Sequence, residues 1–187
     1  MGAHEHEDFR RVTPPLEGQL VRLRAIEETD LPAINQGVWN PAVSQYLLIP
    51  FPQPLAGTRE YWERVRRSDS DLVLVIEAKD SQMVGVVALH DIQGRARTAL
   101  LGIWVAERYW DRGYGTDAVR TICRFGFREM NLQRIDLDVL ETNPRGKRAY
   151  EKVGFKEEAR LRRAHFVDGR HVDMLLMGLL VEELVEA

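Results

Sequence analysis

Cysteine is nearly absent from this chain, with one residue, Cys123, in 187. An intrachain disulfide and a multi-cysteine metal site are therefore excluded. Cys123 falls on the apolar side of an expected helix, where it reads as a buried bystander rather than a nucleophile. No apolar run approaches the roughly 20 residues of a membrane span. The polar start, Met1 to Arg11, has no apolar signal core. An excess of basic charge is missing too. The formal net charge is −3, which speaks against a general nucleic-acid binder. No Gly-Lys-Ser/Thr follows a glycine-rich turn, so the phosphate-loop NTPase pattern is not met. Repeats, low-complexity tracts and linkers are also lacking. What is present is 44% apolar and 29% charged residues, the balance of one soluble, cytoplasmic-type domain long enough to bury a core.

Along the chain, residues 19–25 alternate, with Val21, Leu23 and Ala25 on one face, and predict a strand. Thr29 and Asp30 cap a helix with Pro32 in its first turn. Residues 37–57 form a long irregular stretch with Trp39, Tyr46, Leu47, Leu48, Ile49 and Phe51 as apolar members, either a binding wall or a loop packed on the core. Thr58 is expected to cap a helix through about Arg67. Residues 72–78 and 83–90 read as a hairpin, followed by a polar break at Asp91–Arg97 and a strand at Thr98–Val105. The next helix carries Val119, Ile122, Cys123, Gly126 and Met130 inward, and Arg120, Arg124 and Arg128 as a solvated stripe. Residues 134–141 alternate as a strand. Asn143, Pro144 and Gly154 bracket a short helix. Two last strands, 157–167 and 170–180, surround the hairpin turn Asp168-Gly169.

Gly102 to Ala118 is the stretch the rest is arranged around. An apolar strand ends in a turn with Arg112, Gly113 and Gly115, and a helix begins, capped by Thr116 or Asp117. Glycines let main chain approach a ligand closely. Amide N–H groups at a helix start, with the helix dipole, suit a phosphate, and Arg112 adds a permanent charge. The residues imply a diphosphate-carrying ligand, with an ordinary Gly-rich connection as the plain alternative. Gly113 to Ala118 also meets G-x-G-x-x-G/A. That dinucleotide pattern belongs directly after a first strand, whereas several strands precede it here, so an NAD(P)-dependent oxidoreductase is the weaker reading.

These residues resemble the GNAT superfamily of N-acetyltransferases, in the branch with ribosomal-protein and spermidine acetylases. The resemblance is carried by Leu16-Glu17-Gly18 through Leu23-Arg24, by Gly102-Ile103-Trp104-Val105, and by Tyr109-Trp110-Asp111-Arg112-Gly113-Tyr114-Gly115-Thr116. It continues in Asn143 through Arg148-Ala149-Tyr150-Glu151-Lys152-Val153-Gly154-Phe155 and in Asp168-Gly169-Arg170 with Asp173. It spans about residues 14–182. It implies an α/β fold of α+β type, a GNAT domain over 14–182 between a flexible tail, 1–13, and a short end, 183–187. The sheet is expected to be mixed and mostly antiparallel, of six to seven strands, flanked by helices and splayed into a cleft for coenzyme A.

By that resemblance acetyl-CoA is the donor and a primary amine (a protein N-terminus, a polyamine or another small amine) the acceptor. Arg112, Gly113, Tyr114, Gly115 and Thr116 would hold the pyrophosphate, with Arg148 nearby. The Val105 backbone would pair with the pantetheine arm, and its N–H would face the thioester oxyanion. Asn143 would touch the arm, and Tyr150 would be the general acid. The helix geometry agrees, since Tyr150 lies seven residues beyond Asn143, about two turns along the same face. No metal is implied. Where many relatives carry an acidic residue in the strand before the turn, this chain has Leu100. The base must then come from Glu77, His90, Asp91, His165, Asp173 or water. Trp110 stands where many members have Gln or Arg and reads as packing or a cover over the phosphates. Gly146, costly inside a helix by up to about 1 kcal/mol, suggests close approach of the cofactor. A non-catalytic acyl-CoA-binding module is the alternative from another class, and a homodimer through the last hairpin is suggested by analogy.

Overall fold

The structure, a computed structural model, describes residues 16–47 and 52–186. The expected tail 1–13, and Leu48, Ile49 and Phe51 of the irregular stretch, lie outside them. The strands are β1 (Val21–Ala25), β2 (Leu72–Ala78), β3 (Met83–Gln93), β4 (Thr98–Val105), β5 (Arg134–Leu140), β6 (Lys156–Val167) and β7 (Arg170–Leu180). They form one open sheet in the order β1-β2-β3-β4-β5-β7-β6. Every neighbouring pair is antiparallel except β4 with β5. The helices are α1 (Leu31–Val38), α2 (Pro41–Ser44), α3 (Leu55–Val65), α4 (Tyr114–Arg128) and α5 (Pro144–Glu151).

The alternation that predicts the strands also decides which face each helix covers. Ala118, Val119, Ile122 and Cys123 of α4 share one core with Leu89, Leu101, Ile135 and Leu137. Ile122 has no exposed surface, and burial of a side chain of that size contributes roughly 1.5–3 kcal/mol. On the opposite face, Leu31 and Ile34 of α1 pack with Val86, Val73, Trp62 and Trp104. Cys123 is fully buried, and that burial pushes its thiol well above the ordinary range. It stays protonated, as a bystander should.

Four local expectations are corrected. The third helix begins after Pro54, not at Thr58; the Thr58 hydroxyl instead accepts from Asn35 Nδ2 at 2.8 Å. The irregular stretch contains α2, capped by Asn40, whose Oδ1 accepts from the Ala42 N–H at 2.9 Å. The arginines of α4 are not simply solvated. Arg120 Nε donates to the Val185 carbonyl at 2.9 Å, Arg124 donates to the Glu17 carbonyl, and Arg128 pairs with Glu186. They fasten both ends of the domain to one helix. Neither Thr116 nor Asp117 caps α4, because Gly113 holds that position.

Asp117 has a different task. It is buried in the first turn of α4, and its carboxylate accepts from the backbone N–H groups of Gln19, Leu20 and Val21 at 3.1, 2.7 and 3.0 Å. Charge-assisted bonds of this kind are about twice as strong as neutral ones. The side chain that resembles a cap thus ties the chain before β1 to the start of α4.

Candidate active site

The parallel pairing of β4 and β5 covers only Thr98↔Arg134, Ala99↔Ile135 and Leu100↔Asp136. Beyond Leu100 the two strands part. β4 remains paired with β3 as far as Gly85↔Val105, and the Ala106 N–H donates to the Val84 carbonyl at 2.8 Å. That bond makes Val84 and Ala106 a hydrogen-bonded pair, so the next pair, Gly85 and Val105, is not one. The N–H and C=O of Val105 therefore point away from β3, into the gap. By alternation those of Ile103 do the same, whereas the Leu101 N–H still reaches β5 to close the Leu100↔Asp136 pair. Backbone polar groups in such a place need partners, and a strand-like chain of amides inserted there supplies them.

A cavity of about 600 Å³ fills the gap, within the usual range for ligand sites. Its walls include Leu100 to Val105 of β4, Asp138 to Leu140 of β5, Gly113 to Thr116 at the head of α4, and Asn143, Arg145, Gly146, Arg148, Ala149 and Tyr150 around α5. Gly113 has φ +83°, a left-handed conformation that glycine adopts without steric cost. A Cβ there would also meet Leu20 Cδ1 at 3.0 Å. The first N–H groups of α4 consequently border the cavity with little side chain in front of them. Arg112 is not on the wall; its guanidinium lies 5.9 Å from the Tyr109 ring centroid.

Trp110 is more than packing. Its Nε1 donates to the Val105 carbonyl at 2.7 Å, and the Arg145 guanidinium stacks 3.2 Å from its ring centroid. The indole thus takes the Val105 acceptor, leaves the N–H, and reaches across the gap to α5. The reason for Gly146 is also local. Asn143 Oδ1 caps α5 by accepting the Gly146 N–H at 2.9 Å, and a Cβ on Gly146 would meet Asn143 Nδ2 at 2.7 Å. The capping side chain by itself gives a reason for glycine at this position. Tyr150 faces the same cavity, with its ring edge-on to Phe155 at 6.0 Å. Burial pushes its phenol up to about 12, so it holds its proton throughout the physiological range.

Of the five residues considered as bases, His90 alone is on the wall. Glu77 is buried between Arg22 and Arg24 on the β1–β2 ladder. Asp91 sits with φ 47° at an irregularity of β3, and His165 lies in the β6–β7 hairpin opposite Val172. Asp173 accepts from Arg160 and from the Arg163 N–H. The structure adds groups that the sequence did not single out. His90 Nδ1 lies 2.6 Å from Asp71 Oδ1. Across the gap Asp138 borders the cavity, and burial together with neighbouring Asp136 raises its carboxyl above the ordinary range. Asp138 was signalled only by its outward place in the alternation of β5, and Asp71 by nothing local.

An open sheet splayed between its fourth and fifth strands, with bare main chain beside a helix start, defines an acyl-CoA-handling fold. Residues 21–156 match the acetyltransferase (GNAT) domain family, and this chain belongs to it. The spermidine N(1)-acetyltransferase of Vibrio cholerae is 27% identical over 158 residues, 84% of this chain and 91% of that protein. The SPbeta prophage-derived uncharacterized N-acetyltransferase YokL of Bacillus subtilis is 26% identical over 166 residues, 89% of this chain and 93% of that one. The crystal structure of the Vibrio cholerae spermidine N-acetyltransferase in complex with CoA and spermine superposes with a TM-score of 0.83, at 26% identity, over 88% of this chain and 97% of that one. The protein is an N-acetyltransferase that uses acetyl-CoA as cosubstrate and an amine as acceptor. None of the described helices is long and apolar enough to cross a membrane.

Proposed function

We propose that the acceptor is a small aliphatic amine, with spermidine the first compound to try, and that the residues of the splayed gap divide the work of direct transfer. The observation that carries this reading is the continuity of one cavity from the head of α4 to Tyr150, past strand edges that lack a partner. In this reading the N–H groups of Gly113, Tyr114, Gly115 and Thr116 receive the pyrophosphate, and Arg112 and Arg148 supply positive charge. The Val105 N–H binds the pantetheine arm or the thioester oxygen, where negative charge develops in the transition state. The Asn143 amide keeps Nδ2 for the arm while Oδ1 caps the helix.

The amine nitrogen attacks the thioester carbon and forms the C–N bond. Collapse of the tetrahedral intermediate breaks the C–S bond. Tyr150 gives its phenolic proton to the departing sulfur, since a simple thiol has pKa about 8.5. Support for a cationic acceptor comes from the wall opposite α4, where Tyr46, Trp104 and Asp138 border the cavity. It also comes from the spermidine acetyltransferases among the relatives. The test is a panel of spermidine, lysine, an aminoglycoside and an alanyl peptide, read by free thiol and by mass of the product. Release with spermidine and lysine but not with the peptide supports the reading. Acetylation of the peptide α-amine alone replaces it with an N-terminal acceptor. Tight CoA binding with no release on any amine returns the non-catalytic module.

The β6–β7 hairpin presents Leu161 and Phe166, 46% and 61% exposed. We read this hairpin as the face through which two copies pair, which sedimentation of the wild type and of Phe166→Glu tests.

A further inference from the structure

His90 and Asp71 form a dyad that the acetyl-transfer chemistry described above does not yet use. His90 belongs to β3 and stands opposite Leu100, with Ala88 opposite Gly102. Side chains directly opposite one another lie on one face of the sheet, so His90, Leu100, Gly102 and Trp104 share a face. It is the face of α1 and α3, because Val86 and Trp104 pack there. Leu100 and Asp136 are parallel partners, which puts Asp138 on that face as well. The helix start with its glycines lies on the other face, beneath α4. The gap beyond Leu100 joins the two.

The imidazole lies beside Gly102. A Cβ built there would be 3.6 Å from His90 Cδ2 and 3.7 Å from Nε2. The ring therefore lies over bare main chain at the edge of the gap, with its Nε2 side toward it. The other nitrogen is occupied. A carboxylate can only accept, so the 2.6 Å contact between Nδ1 and Asp71 Oδ1 is an Nδ1–H donor, an arrangement that in the neutral ring puts the lone pair on Nε2. Asp71 is itself held by the Ser68 hydroxyl at 2.6 Å. Burial pushes the Asp71 carboxyl up, but the bonds from Ser68 and His90 prevail and keep it below its ordinary value. The arrangement of carboxylate, Nδ1–H and free Nε2 is that of an oriented general base.

We propose that His90 Nε2 takes the proton of the acceptor's ammonium, with Asp71 as the positioning residue. An alkylamine with pKa near 10.4 is almost wholly protonated at neutral pH and cannot attack until a proton is removed. The ammonium gives one proton to His90 Nε2, and the neutral nitrogen forms the C–N bond as the C–S bond breaks. The sulfur leaves with the Tyr150 proton. The second proton on nitrogen restores the phenol, and the imidazolium returns its proton to water. One proton is released per turnover. This inference rests on the proposed amine chemistry and supplies the base that Leu100 cannot.

The experiment uses the full-length enzyme saturated with acetyl-CoA, and whichever amine of the panel releases thiol fastest. His90→Gln is expected to lower kcat/KM for an alkylamine by about 100-fold, less for an α-amine of pKa near 8, while the KM for acetyl-CoA stays within about twofold. Asp71→Asn lowers kcat by about tenfold with KM unchanged, and Asp71→Glu restores most of it. Added imidazole recovers part of the activity of His90→Ala, a readout that a misfolded protein cannot give. The inference is overturned if His90→Gln stays within about threefold of wild type on every active amine. It is overturned equally if imidazole rescues nothing, or if Asp138→Asn abolishes turnover while His90→Gln does not. A wild type silent on the whole panel instead removes the amine chemistry on which this inference rests.

Discussion

The Arg145 guanidinium lies face-on against the Trp110 indole, 3.2 Å from the ring centroid, and so joins the turn before α4 to α5 across the open seam of the sheet. The same indole donates to the Val105 carbonyl. Trp110→Phe keeps a ring under the guanidinium and deletes that hydrogen bond. A net hydrogen bond is worth about 1 kcal/mol, a factor of about 5 in affinity. Calorimetric titration with CoA should show that loss, and a larger one for Trp110→Ala. Unchanged affinity in both would mean the indole braces nothing that the cosubstrate uses.

Gly113→Val adds a branched side chain at φ +83°, 3.0 Å from Leu20 Cδ1. The left-handed conformation alone costs roughly 1–2 kcal/mol in a residue other than glycine. Tm should fall by about 2–8 °C in a domain of this size. CoA affinity should fall at least tenfold beyond that, since the main chain is then screened. A stability loss with normal CoA binding would locate the diphosphate elsewhere.

Tyr150→Phe should lower kcat by about 100-fold and leave the KM for acetyl-CoA nearly unchanged. The phenol is held up to about 12, so its acid form persists through the alkaline assay range and Tyr150 contributes no falling limb to kcat below about pH 11. The stability consequence has a definite sign. A free tyrosine ionises near pH 10, so between about 10 and 12 the unfolded chain has lost the proton that the folded one retains. Folding stability must fall across that window, and Tyr150→Phe should flatten the fall in alkaline denaturation.

Glu77 and Asp30 behave oppositely. Burial pushes Glu77 up, but the Arg24 and Arg22 hydrogen bonds outweigh it and hold the carboxyl below its ordinary range. The hydrogen bonds from Arg24 and the Glu27 N–H do the same for Asp30 against its own burial. A depressed carboxyl contributes stability above the unfolded value, near 4, and loses it as pH falls through the folded one. Glu77→Gln should cost on the order of 2–3 kcal/mol at pH 7 and weaken acid denaturation below pH ~4. Chemical denaturation at pH 7 and at pH 3 measures both. An equal loss at the two pH values would remove the charge from the explanation.

The strands and the bracketed helix were legible because period-two alternation and the Asn143, Pro144 and Gly154 signals are local. So was the Asn143–Tyr150 spacing, which two helical turns decide. The partners of Asp117 were not. Its N–H donors lie 96 to 98 residues away, and a carboxylate in a first turn looks locally like a cap. Asp71 is equally silent in sequence, one of several polar residues in a turn, and it acquires meaning only when the β2–β3 hairpin brings His90 to it. Gly146 has a local partner that its sequence position did not reveal. Glycine in a helix reports that something is close, and here the neighbour is the cap three residues earlier.

The early parting of β4 from β5 divides the sheet into a four-stranded and a three-stranded sector, held together by three residue pairs and the shared core beneath α4. A cosubstrate that spans the divide behaves as an interstrand staple. Its free energy of binding should therefore be felt as cohesion of the whole molecule, with amide exchange slowed on both sectors at once.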